Sequence, residues 1–128
     1  MKDNQKFFTC QICGNITGII KNSGVPIVCC GQKMSELVPN TVEASTEKHL
    51  PEVNVSGNSL NVNIGSTPHP MESGHYIAFV YVETENGGQR KNLKAGDAPA
   101  LTFSFTDDKP TAVYAYCNLH GLWKTEVH

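Results

Sequence analysis

At 128 residues the chain has the length of one domain, or of one domain with a small appendage. Its 17% charged and 39% hydrophobic residues, interrupted by 11 Gly and 7 Pro, exclude a disordered tail and a long helical bundle. Ten Lys+Arg against twelve Asp+Glu leave a net charge of -2 with no basic run, so no stripe is available to neutralise nucleic-acid phosphates.

Residues 1–20 carry Lys2, Asp3, Lys6, Cys10 and Cys13 but no apolar signal core or small-residue cleavage site. The longest apolar runs, such as 76–82, are strand-sized and far short of the ~20 residues that cross a bilayer. A soluble cytoplasmic protein with no membrane association is expected. Residues 1–38 are punctuated by Gly14, Gly18, Gly24, Pro26 and Gly31. Their apolar pieces are short, and a unit below ~40 residues usually needs a metal or disulfides to hold together. Pro39-Asn40 marks the boundary to a second unit, 39–128.

A short turn near residues 42–46 is the only helix expected. From residue 51 the pattern alternates with period two, as in strands. Val53/Val55 and Leu60/Val62/Ile64 flank Ser56-Gly57-Asn58-Ser59 as a hairpin. Strands follow at 75–82 and, after the turn 85–88, at 89–93. Others are expected at 101–106, at 111–116 after Asp107-Asp108-Lys109-Pro110, and at 122–127. Turn signals about every ten residues predict a mainly β fold, an antiparallel sandwich or barrel.

Five cysteines in a chain with no visible secretory signal read as metal-binding or catalytic before they read as a disulfide framework. Cys10-Gln11-Ile12-Cys13, fifteen intervening residues and then Cys29-Cys30 form a CxxC…CC set. A CxxC turn lets two sulfurs converge on one ion, and two pairs make a tetrahedral S4 site that suits zinc or iron alike. The second pair is adjacent, and successive side chains tend to diverge, so a distorted site is expected; a vicinal disulfide is the third reading. The fifth thiol, Cys117, shares the long second unit with His49, His69, His75 and His120. Cys117-Asn118-Leu119-His120 follows a strand, His69 lies between Pro68 and Pro70, His49 precedes Leu50-Pro51, and His75 opens a strand. One such histidine would read as a surface residue; four at loops or strand ends of one small β domain, with a thiol, read as one metal site. The terminal His128 is set aside. Imidazoles plus one thiolate suit iron, copper or zinc. A blue-copper centre usually has a weak axial Met shortly after its second His, and Met1, Met34 and Met71 all precede Cys117.

Four motifs together carry a family resemblance: CxxC…CC, Glu47-Lys48-His49-x-Pro51, His69-Pro70-Met71-x-x-x-His75-Tyr76 and Cys117-Asn118-x-His120-Gly121-x-Trp123. In this order, and over essentially its whole length, the chain resembles desulfoferrodoxin, the two-iron form of superoxide reductase. The resemblance implies a rubredoxin- or desulforedoxin-like module over 1–38 and an immunoglobulin-like β-sandwich over 39–128. It implies an FeS4 centre on Cys10, Cys13, Cys29 and Cys30. It also implies a mononuclear ferrous site with His49, His69, His75 and His120 around the ion, Cys117 axial and the sixth position open.

The activity so implied is one-electron reduction of superoxide to hydrogen peroxide without release of oxygen, in detoxification under oxidative stress. The electron would come from rubredoxin or a similar carrier, with the FeS4 centre as a relay, in a homodimer. Lys48 would steer or hydrogen-bond the oxygen species, and Glu47 would take the sixth position once the iron is ferric; without the motif, both would read as a solvated charged loop. Four neutral imidazoles and one thiolate leave a divalent ion at about +1, which draws an anion, and a thiolate opposite the substrate pushes electron density toward it. Asn118 is either a turn residue or a tuner of the Cys117 sulfur. Two other classes compete: a zinc-stapled binding module and a pure electron carrier, neither of which needs the His/Cys set.

Overall fold

The computed structural model describes residues 4–42 and 46–128, and of Glu47 the backbone alone. The chain divides into two compact units, 1–38 and 39–128.

The first unit consists of five short strands: β1 (Phe7–Thr9), β2 (Ile16–Gly18), β3 (Val28–Cys29), β4 (Gln32–Lys33) and β5 (Ser35–Glu36). An antiparallel sheet runs β2-β1-β5, and β3-β4 form a separate ribbon. Among its described residues only Phe7, Cys10 and Met34 are buried hydrophobics. Three such side chains cannot offset the entropy of ordering nearly forty residues. This unit therefore depends on its thiols.

The second unit is an immunoglobulin-like antiparallel sandwich. After one helical turn, α1 (Thr46–His49), come β6 (Pro51–Ser56), β7 (Ser59–Ile64), β8 (Ile77–Thr84), β9 (Gly87–Asn92), β10 (Ala100–Ser104), β11 (Pro110–Cys117) and β12 (Gly121–Glu126). One sheet runs β10-β7-β6 and the other β12-β11-β8-β9. Alternation is plain in β7, where Leu60, Val62 and Ile64 are buried and Asn61 and Asn63 exposed. These three side chains and Phe103 form one core with Val80, Val82, Val113 and Ala115 of the other sheet.

One irregularity positions the site. In the β11–β8 ladder Tyr116 pairs with Phe79, but Cys117 pairs with Ile77, so the register slips there. Cys117 continues the inward alternation of Val113 and Ala115, and the slip, an extra residue on β8, turns Ile77 inward opposite it, each with no exposed surface. The free edges are stitched by side chains. Gln89 Nε2 donates to the Ser104 carbonyl (2.8 Å) and Lys91 Nζ to that of Thr102 (2.5 Å), joining β9 to β10. Opposite, Thr125 Oγ1 donates to the Pro51 carbonyl (2.7 Å), joining β12 to β6. Carbonyls with no ladder partner are satisfied in this way.

Differences from the sequence reading are local. The helical turn falls at Thr46–His49, beyond the expected 42–46, of which 43–45 lie outside the described residues. Strand β8 starts at Ile77, because His75 is held in a tight loop by reciprocal backbone bonds with Glu72. Strand β9 starts at Gly87, which pairs with Thr84 and shortens the expected turn to two residues.

Candidate metal centres

In the first unit the CxxC turn closes on itself: Cys10 N–H donates to Asn15 O and Gly14 N–H to Cys10 O, both at 2.9 Å. Gly14 takes the left-handed conformation (φ 79°) that lets the chain reverse after Cys13. The Cys13 N–H points at Cys10 Sγ (3.5 Å). Hydrogen bonds from the N–H groups of Cys13 and Ile12 hold the Cys10 thiol down to about 6. Cys29 and Cys30 are shifted the opposite way by neighbouring thiols, Cys30 to about 12. Four thiols so crowded cannot all ionise without a cation among them.

The adjacent pair converges because Cys30 is left-handed (φ 52°) and is followed by Gly31 at φ 77°. The reversal brings the ligand atoms of Cys10, Cys13, Cys29 and Cys30 within 4.8 Å of one another. Cys13 Sγ and Cys29 Sγ are 3.6 Å apart, close to the ~3.8 Å between thiolates on one tetrahedral ion with ~2.3 Å bonds. All five cysteines are free thiols, so the vicinal disulfide is not formed. Cys10 is buried while Cys13 and Cys30 are exposed, which puts the centre at the surface of its unit.

In the second unit four imidazoles form a square. Ring centroids are 4.7 Å apart for His49–His69 and His69–His75, 5.1 Å for His75–His120 and 4.9 Å for His49–His120, each pair edge-to-face. The His49–His75 diagonal is 6.3 Å. The corners come from three places: His49 from the end of α1, His69 and His75 from the β7–β8 connection, and His120 from the β11–β12 connection. Cys117, at the end of β11, has its sulfur within 4.8 Å of the ligand nitrogens of His49, His69 and His75, and 3.9 Å from His120 Nδ1.

The reacting nitrogens are specified by their surroundings. His69 Nδ1 lies 2.6 Å from the Pro70 carbonyl, which can only accept, so Nδ1 carries the proton and Nε2 keeps its lone pair. Burial drives the His69 pKa down to about 4, and the nearby imidazoles push the same way, so the ring is neutral at ordinary pH. His69 Nε2 and His75 Nε2 are buried with no hydrogen-bond partner. Two such orphans facing a thiol are unfavourable in a metal-free protein and natural in a loaded one. His49 Nε2 and His120 Nδ1 are 3.1 Å apart, matching the ~3.0 Å between nitrogens at right angles on one ion with ~2.1 Å bonds. The ligand atoms of His49, His69, His75 and Cys117 form one group within 4.8 Å of one another, and His120, outside that group, adjoins it through His49 and Cys117. Three to four nitrogens and one sulfur are a donor set that fits iron. The Asn118 side chain takes the Tyr76 N–H on Oδ1 (2.9 Å) and donates Nδ2 to the Gly74 carbonyl (3.1 Å), tying the Cys117 loop to the His75 loop.

Lys48 is exposed on α1 beside buried His49. Glu47 is in the same turn, and its side chain lies outside the described residues. The sequence reading missed two features. The prolines around His69 act through a carbonyl acceptor as well as through their missing N–H groups. Trp123, quoted only as a motif residue, stacks on His49; its position as the single tryptophan, three residues past His120, was the available signal.

The family model described as "Desulfoferrodoxin" matches residues 41–126, and "Desulfoferrodoxin, N-terminal domain" matches residues 2–37. A desulfoferrodoxin homolog of Archaeoglobus fulgidus is 38% identical over 125 residues, covering 98% of this chain and 99% of that protein. The crystal structure of the superoxide reductase from Treponema pallidum is similar with a TM-score of 0.81 and 35% identity. It covers 97% of this chain and 100% of its own. A superoxide reductase of Giardia intestinalis matches 64% of this chain over 98% of its own, at a TM-score of 0.55 and 32% identity.

Proposed function

The chain belongs to the desulfoferrodoxin family, and from that membership we propose a superoxide reductase whose nitrogen-rich centre is the catalytic iron site. The observation that carries this reading is the square of four imidazoles with a buried thiol beside it. The two clusters match the family's two iron centres. His49, His69, His75, His120 and Cys117 would hold the catalytic ion, and Cys10, Cys13, Cys29 and Cys30 an FeS4 centre. Residues 1–38 then form the electron-transfer module and 39–128 the catalytic one.

When bound, ferrous iron supplies one electron to superoxide, which with two protons leaves as hydrogen peroxide without release of oxygen. The chain's residues set the conditions for that step. The His69 tautomer, held by Pro70, presents a neutral nitrogen in place of a charge. Four neutral rings and one thiolate contribute -1, leaving a divalent site attractive to an anion. Lys48, exposed beside His49, adds a positive charge at the rim and guides the substrate inward. Glu47, one residue further from His49 in sequence, would offer a carboxylate to the oxidised centre, as the family resemblance implies.

The exposed Cys13 and Cys30, with Ile12 and Val28 exposed beside them, suit docking of a small electron carrier such as rubredoxin. A homodimer is the family's assembly, and fully exposed Ile20, just past edge strand β2, supports pairing there. Five free thiols suit a reducing, cytoplasmic setting. Among the described residues no helix is long and apolar enough to cross a membrane.

Metal analysis of freshly purified protein, followed by superoxide kinetics, tests the assignment. Two irons per chain and rapid oxidation of the reduced protein by superoxide are expected. Zinc alone, persisting after expression in ample iron, would overturn it in favour of a structural module.

A further inference from the structure

Trp123 is a residue of the Cys117–Trp123 motif to which metal ligation gives no part, yet its contacts converge on the site. It is buried (3% exposed) and lies on β12 opposite Ala115 of the core. One face of its indole stacks on the His49 ring, with centroids 4.9 Å apart and planes at 24°. Its Nε1–H donates to the His120 carbonyl at 3.1 Å. One rigid side chain thus touches two adjacent corners of the imidazole square, contributed by residues 71 positions apart.

These two corners need external support. His69 has a lock of its own in the Pro70 carbonyl. His49 ends a helical turn of four residues, too short to be stable by itself. His120 sits in the short connection between β11 and β12, before Gly121 in the left-handed conformation (φ 79°).

We propose that Trp123 is a positioning residue for the catalytic metal: it sets the ring plane of His49 and anchors the main chain of His120. The proposal rests on the reading of these imidazoles as ligands. The near-parallel stack resists rotation of His49 about its ring torsion, because turning it would drive the ring edge into the indole face. The indole hydrogen bond fixes His120 from behind, so that its Nδ1 meets His49 Nε2 at the spacing one ion requires. Ligand orientation by such outer contacts typically changes metal affinity by about 10–100-fold.

Two substitutions separate positioning from simple core filling. Trp123→Phe keeps a flat ring against His49 and removes the N–H; Trp123→Leu keeps apolar burial and removes both contacts. Each is measured as the iron-loaded full chain. The readouts are the thiolate-to-ferric absorption band, the midpoint potential of the nitrogen-rich centre, and the rate at which a chelator strips its iron. Thermal unfolding of the metal-free variants reports folding.

Trp123→Leu is expected to release iron roughly 10–100 times faster with a shifted band, and Trp123→Phe to fall between it and the unsubstituted protein. Folded variants with unchanged band, potential and release rate would overturn the proposal and leave Trp123 as core. If Trp123→Leu does not fold, Trp123→Phe decides: a shifted band with an unchanged apo melting curve supports positioning, and an unchanged band refutes it. His69→Ala runs beside them; if it too keeps its iron and spectrum, the ligand assignment is at fault rather than the role of Trp123.

Discussion

His69 shows how much a single residue can determine. Its Nδ1 is committed to the Pro70 carbonyl, burial keeps the ring neutral, and its Nε2 is left without a partner facing Cys117. Lys48 is the opposite kind of residue: exposed, one position from a buried ligand, and able to act only through its charge. Lys48→Ile should therefore slow the encounter with superoxide several-fold at low salt and flatten its dependence on ionic strength. Pulse radiolysis across a salt series measures both; an unchanged rate removes Lys48 from the mechanism. That the histidines and Cys117 gather in one place was legible from residue type and loop position, whereas a part for Lys48 rested on the family motif alone. Which nitrogen of each ring faces the ion was not. His69 uses Nε2 because a neighbouring carbonyl claims Nδ1, whereas Nδ1 is the His120 nitrogen that meets His49, and neither choice is written in spacing. The vicinal cysteines teach the same lesson, since only the left-handed backbone at Cys30 turns two diverging side chains toward one point.

The strands of the second unit were legible because burial on one face forces period two, as Leu60, Val62 and Ile64 show. The register slip opposite Cys117 was not, yet it turns Ile77 into the core against the thiol. The face of the four-stranded sheet away from that core holds a buried polar pair, with the Tyr114 hydroxyl donating to Glu83 Oε1 at 3.1 Å. Burial, with the Glu83 carboxylate beside it, pushes the Tyr114 hydroxyl pKa well up, so it remains a donor. Tyr114→Phe should cost about 1–2 kcal/mol, because a buried carboxylate loses a donor it cannot replace from water. Urea denaturation measures the loss. The absorption of the nitrogen-rich centre should stay unchanged, since Tyr114 and Cys117 lie on opposite faces of the sheet.

The whole molecule joins two stabilising strategies in one chain. The sandwich has a core contributed by both sheets, whereas unit 1–38 has three buried hydrophobics among its described residues. Removing metal should therefore affect the units unequally. Hydrogen exchange on the apo protein is expected to show rapid exchange through β1 and β2 while β7, β8 and β11 stay protected. Equal protection in both units would mean that the first folds on its own core. By itself, the sequence determined the mainly β character, the two groups of ligands and the family, because side-chain chemistry and period-two burial are local properties. Tertiary structure alone decided that four histidines from three segments gather edge-to-face, which nitrogens they present, and that Cys117 and Trp123 reach them. The physical reason is that strand register, backbone handedness and ring orientation are set by what packs alongside, and those neighbours lie up to 71 residues away.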